Sequence, residues 1–507
     1  MKKVVSLVMA LALLLSVCSF SVAEEPYVVT ATAAFYTEDK PSDDSPITKY
    51  IEEALNVDFQ VTWVLSGDAA DKFSTDMASV NQPMLYVISS GVTSNVNYLQ
   101  MCQEGVFWDL TDYIQEYPVL RDELTTPSCL AATAVDGRNY LLPLITSTTR
   151  LGLLHREDWL QKLGLEEPTN IEKFKIMVEA FATQDPDGNG VRDTIGFAYC
   201  DDDDEEIDYA GFNTIIAMMG GPVNWGIQDG KLMPYFFFDE YFETLDLFKW
   251  MYENEYMNTD FAINTNKHAP LANNVSGSMF TSATAVVSND YDNLDNIVGP
   301  GNWKLHTQQQ IFNNAGERVM SSTVTAGSLG GILIPKYSVR TEEELRKLLD
   351  LICKIREQGE YDKVIGNGLE GIHYTLNADG TTSYTEEQAK LLTDDALLIS
   401  TILPRRIDSI RYFPEGELTE REKINREVKA LNQENEQYSV NDLSMAYMDS
   451  DTRNLQLSIA KIISDARVQY MMGRIDKDGF IAARDNWLAN GGQEIIDNVN
   501  KAYEASK

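Results

Sequence analysis

Apolar and polar residues alternate over residues 27–34 and again over 58–64, the two-residue period of half-buried strands. Between them Ile47, Ile51 and Leu55 recur at helical spacing, after a loop (35–46) rich in Asp, Ser and Pro. Strand, helix and strand joined by short connections predict a parallel α/β unit. Residues 84–92 read as a further strand and 109–117 as a short helix. A helix over 156–163 follows, and Thr169 and Glu172 then stand at capping-box spacing. The next helix places Ile171, Phe174, Met177, Val178 and Phe181 on one face. Residues 239–252, 340–357 and 454–472 supply the remaining clear helical patterns.

There is no internal repeat and no Pro/Gly/Ser-rich linker. Two lobes joined by several chain crossings fit this pattern better than separate beads. Trp159 and Trp250 lie on helical apolar faces and are assigned to packing. Tyr291 follows a strand-like run and is flanked by Asn289, Asp290, Asp292 and Asn293. Such a tyrosine reads as an exposed platform on which a sugar ring could stack.

The chain has 507 residues, 44% hydrophobic and 10% aromatic, which is enough for two or three packed domains and argues against disorder. With 78 acidic and 41 basic residues its net charge is −37. That field repels phosphate backbones and anionic lipid, so nucleic acid and membrane surfaces are poor partners. Lys2 and Lys3, an apolar run over 4–17, and Ser21-Val22-Ala23 describe a signal peptide cut after Ala23. Cleavage takes the net charge to −39 and leaves a soluble secreted chain, because no later stretch is apolar enough to span a bilayer. The alternative is lipid anchoring at Cys18, for which Val17 is a poor preceding residue. Cys102, Cys129, Cys200 and Cys353 form no CxxC pair, and their spacing leaves free thiols and disulfides equally open.

Two chemistries are readable in short motifs. In Asp185-Pro186-Asp187-Gly188-Asn189-Gly190-Val191-Arg192-Asp193, oxygen side chains occupy positions 1, 3, 5 and 9, with Gly at 6. This matches the first part of a calcium loop, with the Val191 carbonyl as a further ligand. Position 12 is Gly196 rather than a bidentate Glu, so waters or a distant residue must complete the shell. Three carboxylates in one tight turn repel one another unless a cation neutralises them. Catalytic motifs are missing: the four histidines are scattered, and neither a GxSxG elbow nor a P-loop occurs. A glycosidase needs only two carboxylates, so a secreted polysaccharide-degrading enzyme stays open as an alternative, as does a binder of peptides or another small solute.

In order along the chain stand Gly137-Arg138-Asn139-Tyr140-Leu141-Leu142-Pro143, Arg156-Glu157-Asp158-Trp159-Leu160 and the 185–193 loop. They are followed by Gly368-Leu369-Glu370-Gly371-Ile372-His373-Tyr374 and Met471-Met472-Gly473. This series resembles the extracellular solute-binding proteins of bacterial ABC importers, in the sugar-type branch that includes alginate-binding periplasmic proteins and related lipoproteins. The resemblance implies an α/β, two-lobe periplasmic-binding-protein-like fold (type II) whose hinge contains multiple chain crossings. The expected division is an N-lobe over 24–145, rejoined by about 300–400, and a C-lobe over 146–299, rejoined by part of 400–507. It further implies structural calcium at Asp185, Asp187, Asn189, Val191 and Asp193, although Thr194 stands where the family often has Glu. Ligand contacts are implied for Phe35, Tyr36, Arg150, Asp290 and Tyr291. The implied role is non-enzymatic capture of an oligosaccharide by a monomer that delivers it to membrane permease subunits.

Overall fold

The computed structural model describes residues 25–507 except 36–39, 81, 90–91, 93–95, 202–210, 265, 289–290, 323–326, 379–381 and 407–419. The signal segment with Cys18, and the candidate residues Tyr36 and Asp290, therefore lie outside the described residues.

Eight strands build the two main sheets: β1 (Tyr27–Phe35), β2 (Val57–Leu65), β3 (Leu85–Ser89), β4 (Leu141–Ile145), β5 (Leu151–Arg156), β6 (Ser278–Ser282), β7 (Leu305–Gln308) and β8 (Ser328–Leu333). The first sheet has the order β2-β1-β3-β8-β4 and the second β6-β5-β7. β1 runs parallel to β2 and β3, as the strand–helix–strand pattern predicts, whereas β8 is antiparallel to both β3 and β4. In the second sheet β5 is antiparallel to both neighbours.

The helices used below are α1 (Pro46–Leu55), α2 (Pro127–Thr133), α3 (Ile171–Thr183), α4 (Phe212–Met219) and α5 (Asp239–Glu253). They continue with α6 (Glu342–Arg356), α7 (Glu386–Ile402), α8 (Glu420–Asn435), α9 (Ser450–Ile459) and α10 (Lys461–Met471). α6 shows why such segments are helical. Thr341 and Glu344 form a reciprocal capping box, three glutamates occupy the first turn, and Lys354 and Arg356 occupy the last. Leu345, Leu348, Leu349, Ile352 and Ile355 are buried on one face. The predicted 454–472 helix is two helices, α9 and α10, meeting at Ala460. At α3 the cap is Asn170, whose side chain accepts from Lys173 N at 3.0 Å, and not Thr169.

Two large cores result. The first joins Val29, Ala31, Ile51 and Leu142 to Ile332, Leu348, Ile399 and Leu403. The second joins Leu153, Phe174, Phe248 and Met320 to Ile459, Met471 and Val499. Among the described residues the chain thus passes between cores three times: between Leu144 and Leu153, between Met320 and Ile332, and between Leu403 and Ile459. Residues 305–320 pack with the second core, so the return to the first occurs nearer β8 than residue 300.

Candidate functional site

β1 and β3 are parallel, so their carboxyl ends, Phe35 and Ser89, lie on one side of the first sheet. The antiparallel neighbours bring Ser328, the first residue of β8, opposite Ile145, the last of β4. After five intervening residues the chain enters β5, whose Leu151 pairs with Ser282 at the end of β6. Strand ends of both sheets therefore meet around the crossing 146–150, the position at which open α/β sheets accept ligands.

Arg150 is half-buried there. Its guanidinium donates to Ser282 Oγ at 3.2 Å, and its carbonyl accepts from Ala283 N at 2.8 Å. Ser282 Oγ lies 3.0 Å from Thr284 Oγ1. Phe35, the last residue of β1, is half-buried beside Leu65 of β2. A guanidinium, two hydroxyls and a ring edge are groups that can exchange hydrogen bonds with sugar hydroxyls and pack on their C–H faces.

Tyr291 departs from its expected role. Its ring is fully buried among Leu154, Leu271, Met279 and Leu294, and its hydroxyl lies 2.7 Å from His268 Nδ1. The polar flanks that suggest exposure describe the neighbouring side chains only. The chain turns at this point so that Tyr291 points inward, and its buried hydroxyl is matched by the imidazole. Trp159 is buried as predicted, with the Arg156 guanidinium 4.6 Å from its ring centroid. Trp250 packs against the second core. The Asp201 side chain is buried in an ion pair of 2.9 Å with Arg467.

Sequence patterning missed the fastening of the crossings. The last turn of α8 presents Asn432 and Asn435, three residues apart. Thr149 Oγ1 donates to the Asn432 carbonyl at 2.8 Å, and Ser147 Oγ reaches the same oxygen at 3.4 Å. The Gln309 amide donates to the Asn432 side chain, and Asn435 Nδ2 donates to the Gln309 carbonyl at 3.1 Å. Arg318 donates to Asn435 Oδ1 at 2.7 Å. The first crossing and the segment leading to the second are thereby tied to one helix end by buried amides. No feature of a polar helix sequence distinguishes such asparagines from solvated ones.

The 185–193 loop follows α3. Asp185 adopts φ 49°, and Gly188 and Gly190 adopt φ 78° and 81°, left-handed conformations that curl the chain on itself. Asp185 accepts from Gly188 N and Gly190 N, both at 3.1 Å. The Asn189 amide nitrogen donates to Asp187 at 2.9 Å and to Asp193 at 3.1 Å. Burial, then the nearby Asp193 and Asp185 carboxylates, push the Asp187 carboxyl above its ordinary range. Thr194 cannot replace the family's Glu, because its buried hydroxyl donates to the Phe181 carbonyl at 2.8 Å. Gly196 cannot carry a ligand either, since a Cβ there would meet Val178 O at 2.1 Å. Among the described residues no group of three His, Cys, Asp or Glu side chains is gathered as a metal site. Asp185, Asp187, Asn189 and Asp193 nevertheless all carry side-chain oxygens, the ligand type that suits a hard cation.

Cys102, Cys129 and Cys200 are buried free thiols, and Cys353 is a half-buried one. Burial pushes the Cys129 thiol up to about 11, which makes it unreactive.

The model of the bacterial extracellular solute-binding proteins matches residues 37–350. The chain belongs to that family. It is 28% identical over 490 residues to the lipoprotein LipO of Bacillus subtilis (strain 168), covering 94% of this chain and 92% of the relative. It is also 28% identical over 482 residues to the polygalacturonan/rhamnogalacturonan-binding protein YtcQ of the same organism, covering 94% and 91%. The crystal structure of the alginate-binding protein AlgQ2 without calcium ion superposes with a TM-score of 0.68 at 15% identity, covering 96% of this chain and 99% of that one. The two-lobe α/β architecture is thus that of sugar-type solute-binding proteins. Among the described residues no helix is long and apolar enough to cross a membrane.

Proposed function

We propose that this protein captures an oligosaccharide outside the cell and delivers it, as a monomer, to the permease of an ABC importer. The two cores act as lobes, the three crossings as their hinge, and closure is a population shift driven by contacts that only the closed state completes. The observation that carries the reading is the meeting of both sheets' strand ends at Arg150, Ser282 and Thr284, beside a hinge fastened by Asn432 and Asn435. The polymeric ligand named for YtcQ supports an oligomer rather than a single sugar. Phe35, Tyr36, Arg150 and Asp290 line the cleft in this reading, while Tyr291 holds its wall from behind. No bond is broken in the ligand, so the protein is a carrier and not a hydrolase. Calorimetric titration with oligogalacturonides, alginate oligomers and fructo-oligosaccharides tests this directly. Micromolar binding of one class, with no new reducing ends, is expected; turnover that survives repurification overturns it.

The Asp185 loop is proposed to hold calcium through Asp185, Asp187, Asn189, Val191 and Asp193, with water completing the shell. Its loss leaves three carboxylates facing one another. At free calcium about 100 to 1,000 times Kd, chelation should lower stability by about 2–4 kcal/mol. A melting temperature indifferent to chelator refutes the site. Secretion behind a signal peptide ending at Ala23 completes the proposal, and the mass of the mature protein checks it.

A further inference from the structure

A cavity of about 570 Å³ lies between α2, which packs on the first sheet, and the second core. Its walls include Ala131 of α2 on one side and Trp225, Phe236 and Trp487 on the other, and it reaches the crossings at Thr148 and Ser322. Phe35, Arg150, Ser282 and Tyr291 take no part in it, so it is distinct from the cleft above. The volume is in the range of small-molecule sites. The Phe236 and Trp487 rings meet edge to face with centroids 5.1 Å apart, making a rigid apolar wall. Hydrogen-bonding groups line the same cavity. Gln456 Oε1 is buried without a partner, and the Arg453 side chain lines the same cavity, where its charge acts on Asp442. Asp442 Oδ1 is held by Ser444 N at 2.8 Å and Ser444 Oγ at 2.7 Å, which fixes the carboxyl at the cavity wall.

We infer that this cavity is a second saccharide site, for an uncharged mono- or disaccharide, coupled to the main cleft because its walls come from α2 beside the first sheet and from the second core. Ring faces pack C–H surfaces, Gln456 and Asp442 accept from hydroxyls, and Arg453 donates to them. An anionic sugar meets the Asp442 carboxyl and the chain's net charge of −37, so it is disfavoured. Rotation of one core on the other changes the separation of α2 from the Trp225 and Trp487 wall. An occupant that fits one arrangement therefore shifts the opening equilibrium, and with it the affinity of the cleft. This goes beyond oligosaccharide capture and does not depend on which oligomer the cleft takes.

The mature protein is titrated with sucrose, galactose and galacturonate up to about 50 mM while tryptophan emission is followed. A saturable response to sucrose or galactose but not to galacturonate is expected. Ala131→Phe, which fills the cavity from an exposed position, should abolish the response, and Gln456→Leu, which keeps volume but removes the acceptor, should weaken it about tenfold. Arg150→Ala should leave it intact, which separates this site from the cleft. Saturation with the neutral sugar should change oligosaccharide affinity at least about fivefold. No saturable response, or one lost in Arg150→Ala and kept in Ala131→Phe, overturns the second site. Oligosaccharide affinity unaffected by the neutral sugar overturns the coupling.

Discussion

The two cores solve the same packing problem with different side chains. The first packs on one side of the five-stranded sheet and is filled by Val, Ile, Leu and Ala, with Phe59 its one buried ring among the described residues. The second has a main sheet of three short strands and is filled by rings, among them Trp159, Phe174, Phe181, Phe197, Phe212, Phe248 and Phe280. A wide pleated surface offers regular ridges that branched aliphatic chains fill without voids. A narrow sheet cannot cover its helices, so helices pack on helices, and large rings span the wider and less regular gaps between them. Phe248 touches three rings, with centroids 4.7 Å from Tyr199, 5.5 Å from Phe212 and 6.4 Å from Phe197. The contrast holds for these two cores and not for every face of a wide sheet, because on the other side of the five-stranded sheet Phe73, Tyr86, Tyr98 and Phe107 cluster as rings again.

The largest expected effect breaks the ring network. Phe248→Ala should cost about 3–5 kcal/mol, against about 0.5–1.5 kcal/mol for Ile352→Val in the aliphatic core. Urea denaturation measures both. A Phe248→Ala cost as small as that of Ile352→Val would show that the rings are not the second core's main support.

Each core also buries a histidine, and the two differ. His373 in the first has full partners: its Nε2 donates to Asp395 at 2.9 Å and its Nδ1 accepts from Leu369 N at 2.9 Å. In the second, His155 Nε2 is buried without a hydrogen bond, and burial followed by the nearby His306 holds its pKa down to about 4. The unfolded chain then binds a proton that the folded chain refuses between pH 6.5 and about 4. Stability from this group is present above 6.5 and lost as pH falls through that window, by about 3 kcal/mol. The second core should be the acid-sensitive one, and His155→Leu should flatten the pH dependence of the melt. A dependence unchanged by that substitution assigns the acid sensitivity elsewhere.

Between the cores the effect moves from stability to binding. Arg150→Ala should weaken oligosaccharide binding about tenfold, or about 1.4 kcal/mol, with little change in melting temperature. Equal binding by wild type and variant removes Arg150 from the cleft. The smallest effect lies at the helix ends: Thr341→Ala in the first core and Asn170→Ala in the second should each cost about 1 kcal/mol, because each leaves a backbone N–H uncapped. Unequal costs would show that the helices depend on their caps differently in the two cores.

The sequence by itself determined the local elements whose pattern is redundant. β1, β2, α1, α3, α5 and α6 were readable because alternation or helical spacing, turn residues and caps all agree over the same few residues. The order of motifs carried the family, and the left-handed glycines of the 185–193 loop were legible because the turn is local. Three things were decided only in three dimensions. α4 has buried side chains on every face, so no amphipathic period marks it. Tyr291 turns inward because a partner twenty-three residues away, His268, satisfies its hydroxyl. The hinge is fastened by Asn432 and Asn435, whose partners Thr149 and Gln309 lie more than a hundred residues earlier. Burial and partnership are properties of pairs that folding brings together, and the one-dimensional pattern records only the residues on either side.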